Sequence, residues 1–378
     1  MSILLGMRDD PKSSNSKIII EPFIVGVERP TTIEFIDEHL LVLEKNSGKI
    51  KLYKDGVLQN DSLIDFEVSN AYEQGLLGIK SFDESVFIYL TQANEDGFNA
   101  TSNSVLKFDW DGDELKNQQT LLTLPSFGLG HIGGALEIDK NGDLFVVVGD
   151  QRGTFNPVPP GPLQNSVEGR IDDTGIILKI DPTDIPLMLN DEHYPISNYY
   201  AIGIRNSFGL TIDPITENLW DTENGPENFD EINLVSSKFN SGWNKVMGPA
   251  NSTQLSQIPA FEDFVYDDPK FSWESTVVPT KLLFITDSKW PTEIQNSVLV
   301  GTCSQGNIYK FLLNQERTHF LFNSSDLSDL VSNDGDDSEE IIFLSGMGCV
   351  TDMELGPDGS LYVVSHTNNG IIYKITSE

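Results

Sequence analysis

A histidine between glycines, an arginine–asparagine pair in a turn, and a Gly-Pro step beside carboxylates are where this chain could do chemistry. In Gly130-His131-Ile-Gly-Gly134 the neighbours give the imidazole little cover, so its ring can reach a ligand. Gly149-Asp150-Gln151 closes the apolar run Leu144–Val148. A carboxylate arriving there can accept the Nδ1–H of His131 and leave Nε2 as a base. A structural loop histidine is the plainer alternative on these residues alone. The second group, Gly203-Ile-Arg205-Asn206-Ser-Phe-Gly209, sets a fixed cation beside an amide, which suits a carboxylate or carbonyl. An arginine stacked between packing elements would read the same way. The third is Thr222-Glu-Asn-Gly225-Pro226-Glu-Asn-Phe-Asp230-Glu231-Ile-Asn233. Pro226 lacks an N–H and Gly225 a side chain, so the turn can offer bare carbonyl oxygens, the hard ligands calcium takes. A surface turn in an acidic protein explains the composition but not the Gly-Pro.

Short β-rich segments must position these loops. They recur at residues 40–44, 86–90, 143–148, 218–220, 297–300 and 360–364. Most are followed by a second segment, at 48–53, 103–108, 175–180, 306–311 or 370–375. Asn141-Gly142 and Asp358-Gly359 supply turn residues that tolerate the positive φ of a tight hairpin. Alternating strands joined by such turns argue against helices. A fixed repeat of hairpin pairs points to an all-β propeller, which leaves only short, protected edges. The expectation is six blades of four antiparallel strands, with residues 18–24 closing the last blade. Residues 1–17 then form a flexible leader and 18–378 a single propeller domain. Insertions rich in Pro, Asn, Asp or Ser are expected at 157–170, 181–198 and 247–273.

Composition narrows the partners. With 24 basic and 58 acidic residues the net charge is −34, which repels phosphate backbones and anionic lipid. Nucleic acid and membrane surfaces are therefore poor partners. No run reaches the ~18 apolar residues of a membrane span. Cys303 and Cys349 allow one bridge at most.

The three groups, in this order, resemble the soluble glucose and aldose sugar dehydrogenases that use pyrroloquinoline quinone (PQQ); the hedgehog-interacting proteins share that fold. Gly75-Leu-Leu-Gly78 is similar to the family's GLLG turn, and His131-Ile-Gly-Gly134 to its HNGG. The stretch from Gly203 to Gly209 looks like its GLRNPQG, and Gly225 to Asn233 like its GP…DEIN. Gly242-Trp243 and Gly356-Pro-Asp-Gly359 before Leu361-Tyr362 complete the likeness, which runs from about Ile24 to Ile375.

The resemblance implies an oxidoreductase that oxidises an aldose sugar at C1 and passes electrons to an external acceptor. His131 takes the family's role of general base, with Asp150 orienting it. Arg205 and Asn206 match the pair that contacts cofactor and developing charge, and Glu73 a position facing substrate. The carbonyls of Gly225 and Pro226 match those that hold a calcium ion, and Glu231 with Ser241 a second, structural calcium site. An extracellular or periplasmic location follows from the family, with Asn-X-Ser/Thr sites at Asn99, Asn251 and Asn323 adding little. Two departures stand out. PQQ is a tricarboxylate, and the stretches where the family places a lysine and two arginines read Thr302-Cys-Ser-Gln305 and Gly346-Met-Gly-Cys349-Val-Thr351. Ile132 also replaces an asparagine. Either Arg205, with Arg152 or Arg170, holds the cofactor, or the cofactor is not PQQ, or none is bound. A propeller that binds a glycan or protein partner without catalysis is the alternative, and a lactone or ester hydrolase a third reading. Since both cysteines fall in the altered stretches, they are expected close together on neighbouring blades at the channel mouth, or else as two unrelated buried thiols.

Overall fold

The computed structural model describes residues 11–13, 17–97, 99–151, 166–167, 170–171, 173–183 and 193–377. Its regular structure is mostly strand, with one four-residue α-helix, Ser252–Leu255, among the described residues. The first blade runs Pro30–Ile36, His39–Glu44, Lys49–Lys54, Val57–Asp65 and the second Leu76–Phe82, Ser85–Ala93, Ala100–Trp110, Leu115–Leu124. The third is built on Leu136–Ile138, Leu144–Val148, Ile176–Ile180 and Tyr199–Ile202. The fourth uses Ser207–Ile212, Leu219–Glu223, Asn228–Val235 and Phe271–Ser275; the fifth uses Pro279–Ile285, Ser297–Thr302, Ile308–Leu313 and Ile342–Ser345.

The propeller class holds, but the expectation of six uniform four-stranded blades is corrected to five blades. These five are the ones built from consecutive stretches of chain. The remaining sheet is a composite: Val350–Leu355, Leu361–Ser365 and Gly370–Ser377 are joined by Ile18–Val27 from the other end. Strand number also varies. Phe239–Asn240 and Val265–Tyr266 extend the third blade by parallel pairing, and Val331–Ser332 does the same for the fourth. The physical reason is that a hairpin repeat counts strand pairs, whereas outer strands are recruited by whichever edge a long loop crosses. The expected insertion at 247–273 supplies one of these added strands, Val265–Tyr266. Residues 157–170 and 181–198 lie largely outside the described residues.

Inner strands read as unbroken apolar runs because both faces are covered by neighbouring blades. Every residue of Leu144–Val148 is buried. Packing between blades is close enough to demand glycine: a Cβ on Gly78 would lie 2.0 Å from the carbonyl oxygen of Gly134. The inner strand Val350–Leu355 of the composite sheet neighbours both Pro279–Ile285 and Pro30–Ile36, which closes the ring.

Charged residues of the inner strands meet on the axis. Lys80 Nζ lies 3.7 Å from Glu34 and Glu354 and 3.9 Å from Glu137. Lys281 Nζ is 3.2 Å from Glu354 and 3.5 Å from Asp352. Two cations thus bridge four carboxylates drawn from different sheets. No helix among the described residues is long and apolar enough to cross a membrane.

Candidate active site at the channel mouth

The loops that lead into the inner strands of blades two, three and four converge. His131 sits in left-handed backbone, φ 55°, between residues that allow it, and its side chain is buried. Its backbone N–H donates to Glu73 Oε2 at 2.6 Å, which ties blade three to the GLLG turn of blade two. The ring nitrogen Nδ1 is 2.9 Å from the backbone carbonyl of Asp150. A carbonyl can only accept, so Nδ1 carries the proton and Nε2 keeps its lone pair. Burial and then the Arg205 guanidinium push the imidazole pKa down to about 4, so the ring is neutral at physiological pH.

Asp150 therefore orients His131, but through its main chain and not, as expected, through its carboxylate. That carboxylate accepts from Trp243 Nε1 at 2.6 Å. The Asp150 N–H meanwhile donates to the carbonyl of Arg205 at 2.7 Å. Trp243 in turn lies under the Arg205 guanidinium, 5.2 Å from ring centroid to Cζ, a cation–π contact. Arg205 Nη1 donates to the carbonyl of Asn224, and its backbone N–H donates to Glu223 Oε2 at 2.7 Å. One residue thus touches the histidine loop, the tryptophan and the Gly-Pro turn. His131, Asp150, Arg205, Asn206, Glu73 and Gly225 are brought together. Burial pushes the Glu73 carboxyl up, against the N–H groups of His131 and Ile132 and the Arg205 charge, which hold it down. A cavity of about 50 Å³, room for a few waters, is lined by Glu73 and Asn206 here and by Lys281 and Asp352 of the axial network.

Blade four supplies the oxygen-rich corner. Gly225 N–H donates to Asp230 Oδ1 at 2.7 Å, and a Cβ on Gly225 would lie 1.9 Å from the carbonyl of Phe229. The turn is therefore closed only because this residue is glycine. Asn224 Nδ2 donates to the carbonyls of Asn206 and Pro279, so its Oδ1 faces the other way, buried and without a partner. An orphaned amide oxygen one residue before the Gly-Pro step suits a hard cation such as calcium. Arg205 Nε is likewise buried and unpartnered, which fits an anionic group next to that ion.

Glu231 and Ser241, expected at a second calcium, lie in a corner of blade four that also holds the buried carboxylates Asp221 and Glu223. Glu231 faces Glu223 across paired strands, and both its oxygens are taken, by Gly248 N–H at 2.5 Å and Asn233 Nδ2 at 3.2 Å. The Ser241 hydroxyl bonds Glu223, and its backbone N–H donates to the carbonyl of Ile202 at 3.0 Å. Burial pushes Asp221, Glu223 and Glu231 up, Glu223 to about 7, and mutual repulsion adds to this for Asp221 and Glu231. No group of three or more His, Cys, Asp or Glu is arranged for a metal among the described residues.

Cys303 and Cys349 form a disulfide, with Cα atoms 3.8 Å apart, joining blade five to the composite sheet. Their proximity agrees with the expectation. Arg152 lies outside the described residues, and nothing is described of the Arg170 side chain. Sequence reasoning missed Asn224, which stands one residue before the Gly-Pro step, and gave Trp243 no role beyond its place in a motif.

The fold is a β-propeller whose channel mouth gathers a buried imidazole, a stacked guanidinium and a Gly-Pro turn. Residues 27–374 match the glucose/sorbosone dehydrogenase family, and the chain belongs to that family of sugar oxidoreductases. It is 24% identical to the aldose sugar dehydrogenase YliI of Escherichia coli, over 93% of this chain and 90% of that protein. It is also 27% identical to quinoprotein glucose dehydrogenase B of Acinetobacter calcoaceticus, over 56% of this chain and 49% of that one. Among solved structures, the PQQ-bound aldose sugar dehydrogenase of Streptomyces coelicolor shares the fold with a TM-score of 0.65 at 18% identity, covering 96% of this chain and 99% of that one.

Proposed function

We propose that this protein oxidises an aldose at C1, using PQQ held beside a calcium ion at the channel mouth. The observation that carries the reading is the neutral, Nδ1-protonated His131, whose free Nε2 sits within the field of Arg205. Nε2 would take the proton of the C1 hydroxyl as hydride leaves the carbon. When bound, PQQ would supply the hydride acceptor and calcium a Lewis acid that polarises it. Gly225, Pro226 and the Asn224 amide oxygen would hold the metal, while Arg205 and Asn206 would face the cofactor. Arg205 stabilises negative charge as it develops, and the Trp243 ring beneath fixes its plane. Glu73 accepts from the His131 main chain and so keeps the base in register while offering a carboxylate oxygen to sugar hydroxyls.

Electrons then pass to an external acceptor. The disulfide supports an extracellular or periplasmic setting, where such bonds persist. The test is to titrate the purified protein with PQQ and calcium and follow dye reduction over a panel of aldoses. Turnover that is lost in His131→Gln while calcium binding persists supports the reading. Absence of PQQ uptake and of turnover would turn it down and leave a glycan- or partner-binding propeller.

A further inference from the structure

The cations that a tricarboxylate needs are missing from blade five and the composite sheet, where a disulfide stands instead. The structure brings others to the same mouth from blade one, next to the composite sheet. Lys45 lies in the turn after His39–Glu44, and its ammonium is buried. Nζ donates to the carbonyl of Gln74 at 2.6 Å and, at the limit, to Asn46 Oδ1 at 3.4 Å. An ammonium has three donors, and Lys45 forms no ion pair within 4 Å among the described residues. Gln74 follows Glu73, which itself holds the His131 loop, so this charge sits one residue from the site. Arg29 is clamped alongside: its carbonyl accepts the Lys45 N–H at 3.1 Å, and its own N–H donates to Thr367 at 2.8 Å. His366 completes the edge, with Nδ1 2.9 Å from the carbonyl of Pro30 and its N–H on the carbonyl of Cys349. Beside it, Ser365 Oγ is buried with no partner.

A buried ammonium next to a guanidinium, with one carboxylate nearby, is under-compensated. Burial first, and then Arg29, pull the Lys45 pKa down to about 8, the direction expected of a cation that lacks an anion. We propose that Lys45 and Arg29, edged by His366 and Ser365, form a cationic wall on blade one that receives a carboxylate of an aromatic polycarboxylate ligand. Resting on the PQQ reading above, this says how the cofactor is held here: from blade one, in place of the blade-five and composite-sheet cations that the resemblance expects.

The test measures binding, not turnover. Equilibrium dialysis would follow two probes, PQQ and benzene-1,3,5-tricarboxylate, with wild type, Lys45→Met, Lys45→Arg and Arg29→Met, all in saturating calcium. Lys45→Met is expected to weaken PQQ binding at least about tenfold, and Lys45→Arg to stay within about threefold of wild type. Arg29→Met, at a half-buried site, reads the same wall if Lys45→Met does not fold. Wild-type PQQ binding that neither Met variant changes overturns the wall and leaves the dehydrogenase reading intact. Tricarboxylate binding that depends on Lys45, without PQQ binding, keeps the wall and removes the cofactor. Binding of neither probe removes both.

Discussion

If His131 is held neutral, stability must carry its signature. The imidazole falls from an ordinary 6.5 to about 4 on folding, a preference of roughly 3 kcal/mol for the uncharged ring. Because the folded value is depressed, this contribution is complete above pH 6.5 and is lost as pH falls toward 4. At pH 5 the unfolded histidine is mostly protonated while the folded one is not, and the loss is about 2 kcal/mol relative to pH 8. His131→Gln removes the titrating group while keeping a side chain that can reach the Asp150 carbonyl. Urea unfolding of both proteins at pH 8 and pH 5 therefore gives a double difference in which every other titrating group cancels. The variant should lose about 2 kcal/mol less than the wild type between the two values. A double difference near zero would show that the ring is solvated and protonates freely. It would then lack the hydrogen-bonded, buried setting that makes Nε2 a base.

Three other outcomes follow from packing. Replacing both Cys303 and Cys349 by serine opens a 46-residue loop, and equilibrium unfolding should show about 4 kcal/mol less stability. Gly225→Ala drives a Cβ into the Phe229 carbonyl; it should cost about 1–3 kcal/mol and weaken calcium binding measured by calorimetry. Arg317 Nε meets Asp213 Oδ2 at 2.6 Å with both groups buried, so Arg317→Met should cost about 3–5 kcal/mol in chemical denaturation. Arg317→Met with Asp213→Leu should recover much of that loss, because no buried charge is then left alone.

How far the sequence carried the site differs from residue to residue. Strands and turns were legible because Leu144–Val148 is apolar throughout and Asn141-Gly142 marks a hairpin. His131, Arg205 and Gly225 were legible because each sits at a strand end between residues that only a special backbone needs. The uniform blade pattern was not, since edge recruitment by Phe239–Asn240, Val265–Tyr266 and Val331–Ser332 leaves no period in sequence. Nor was the atom by which Asp150 meets His131. That choice depends on Trp243, which lies far along the chain and captures the carboxylate. Pairing of the two cysteines came from resemblance, not from their spacing.

Lys45 and Arg29 had no signal at all, and the reason bears on how such sites change. Each sits in a turn whose local sequence is satisfied without them, so composition and spacing treat them as surface residues. Only ring closure brings blade one beside the composite sheet, where Arg29 meets Thr367 and His366 meets Pro30. The mouth of a propeller is lined by turns from every blade, and a carboxylate on the axis is within reach of several of them. Charge can therefore be lost from one blade and supplied by another while the base, the stacked arginine and the carbonyl turn stay in place. Cys303 and Cys349 couple two sheets of that mouth covalently. The balance that matters is the sum of cations around the axis, which no single motif records.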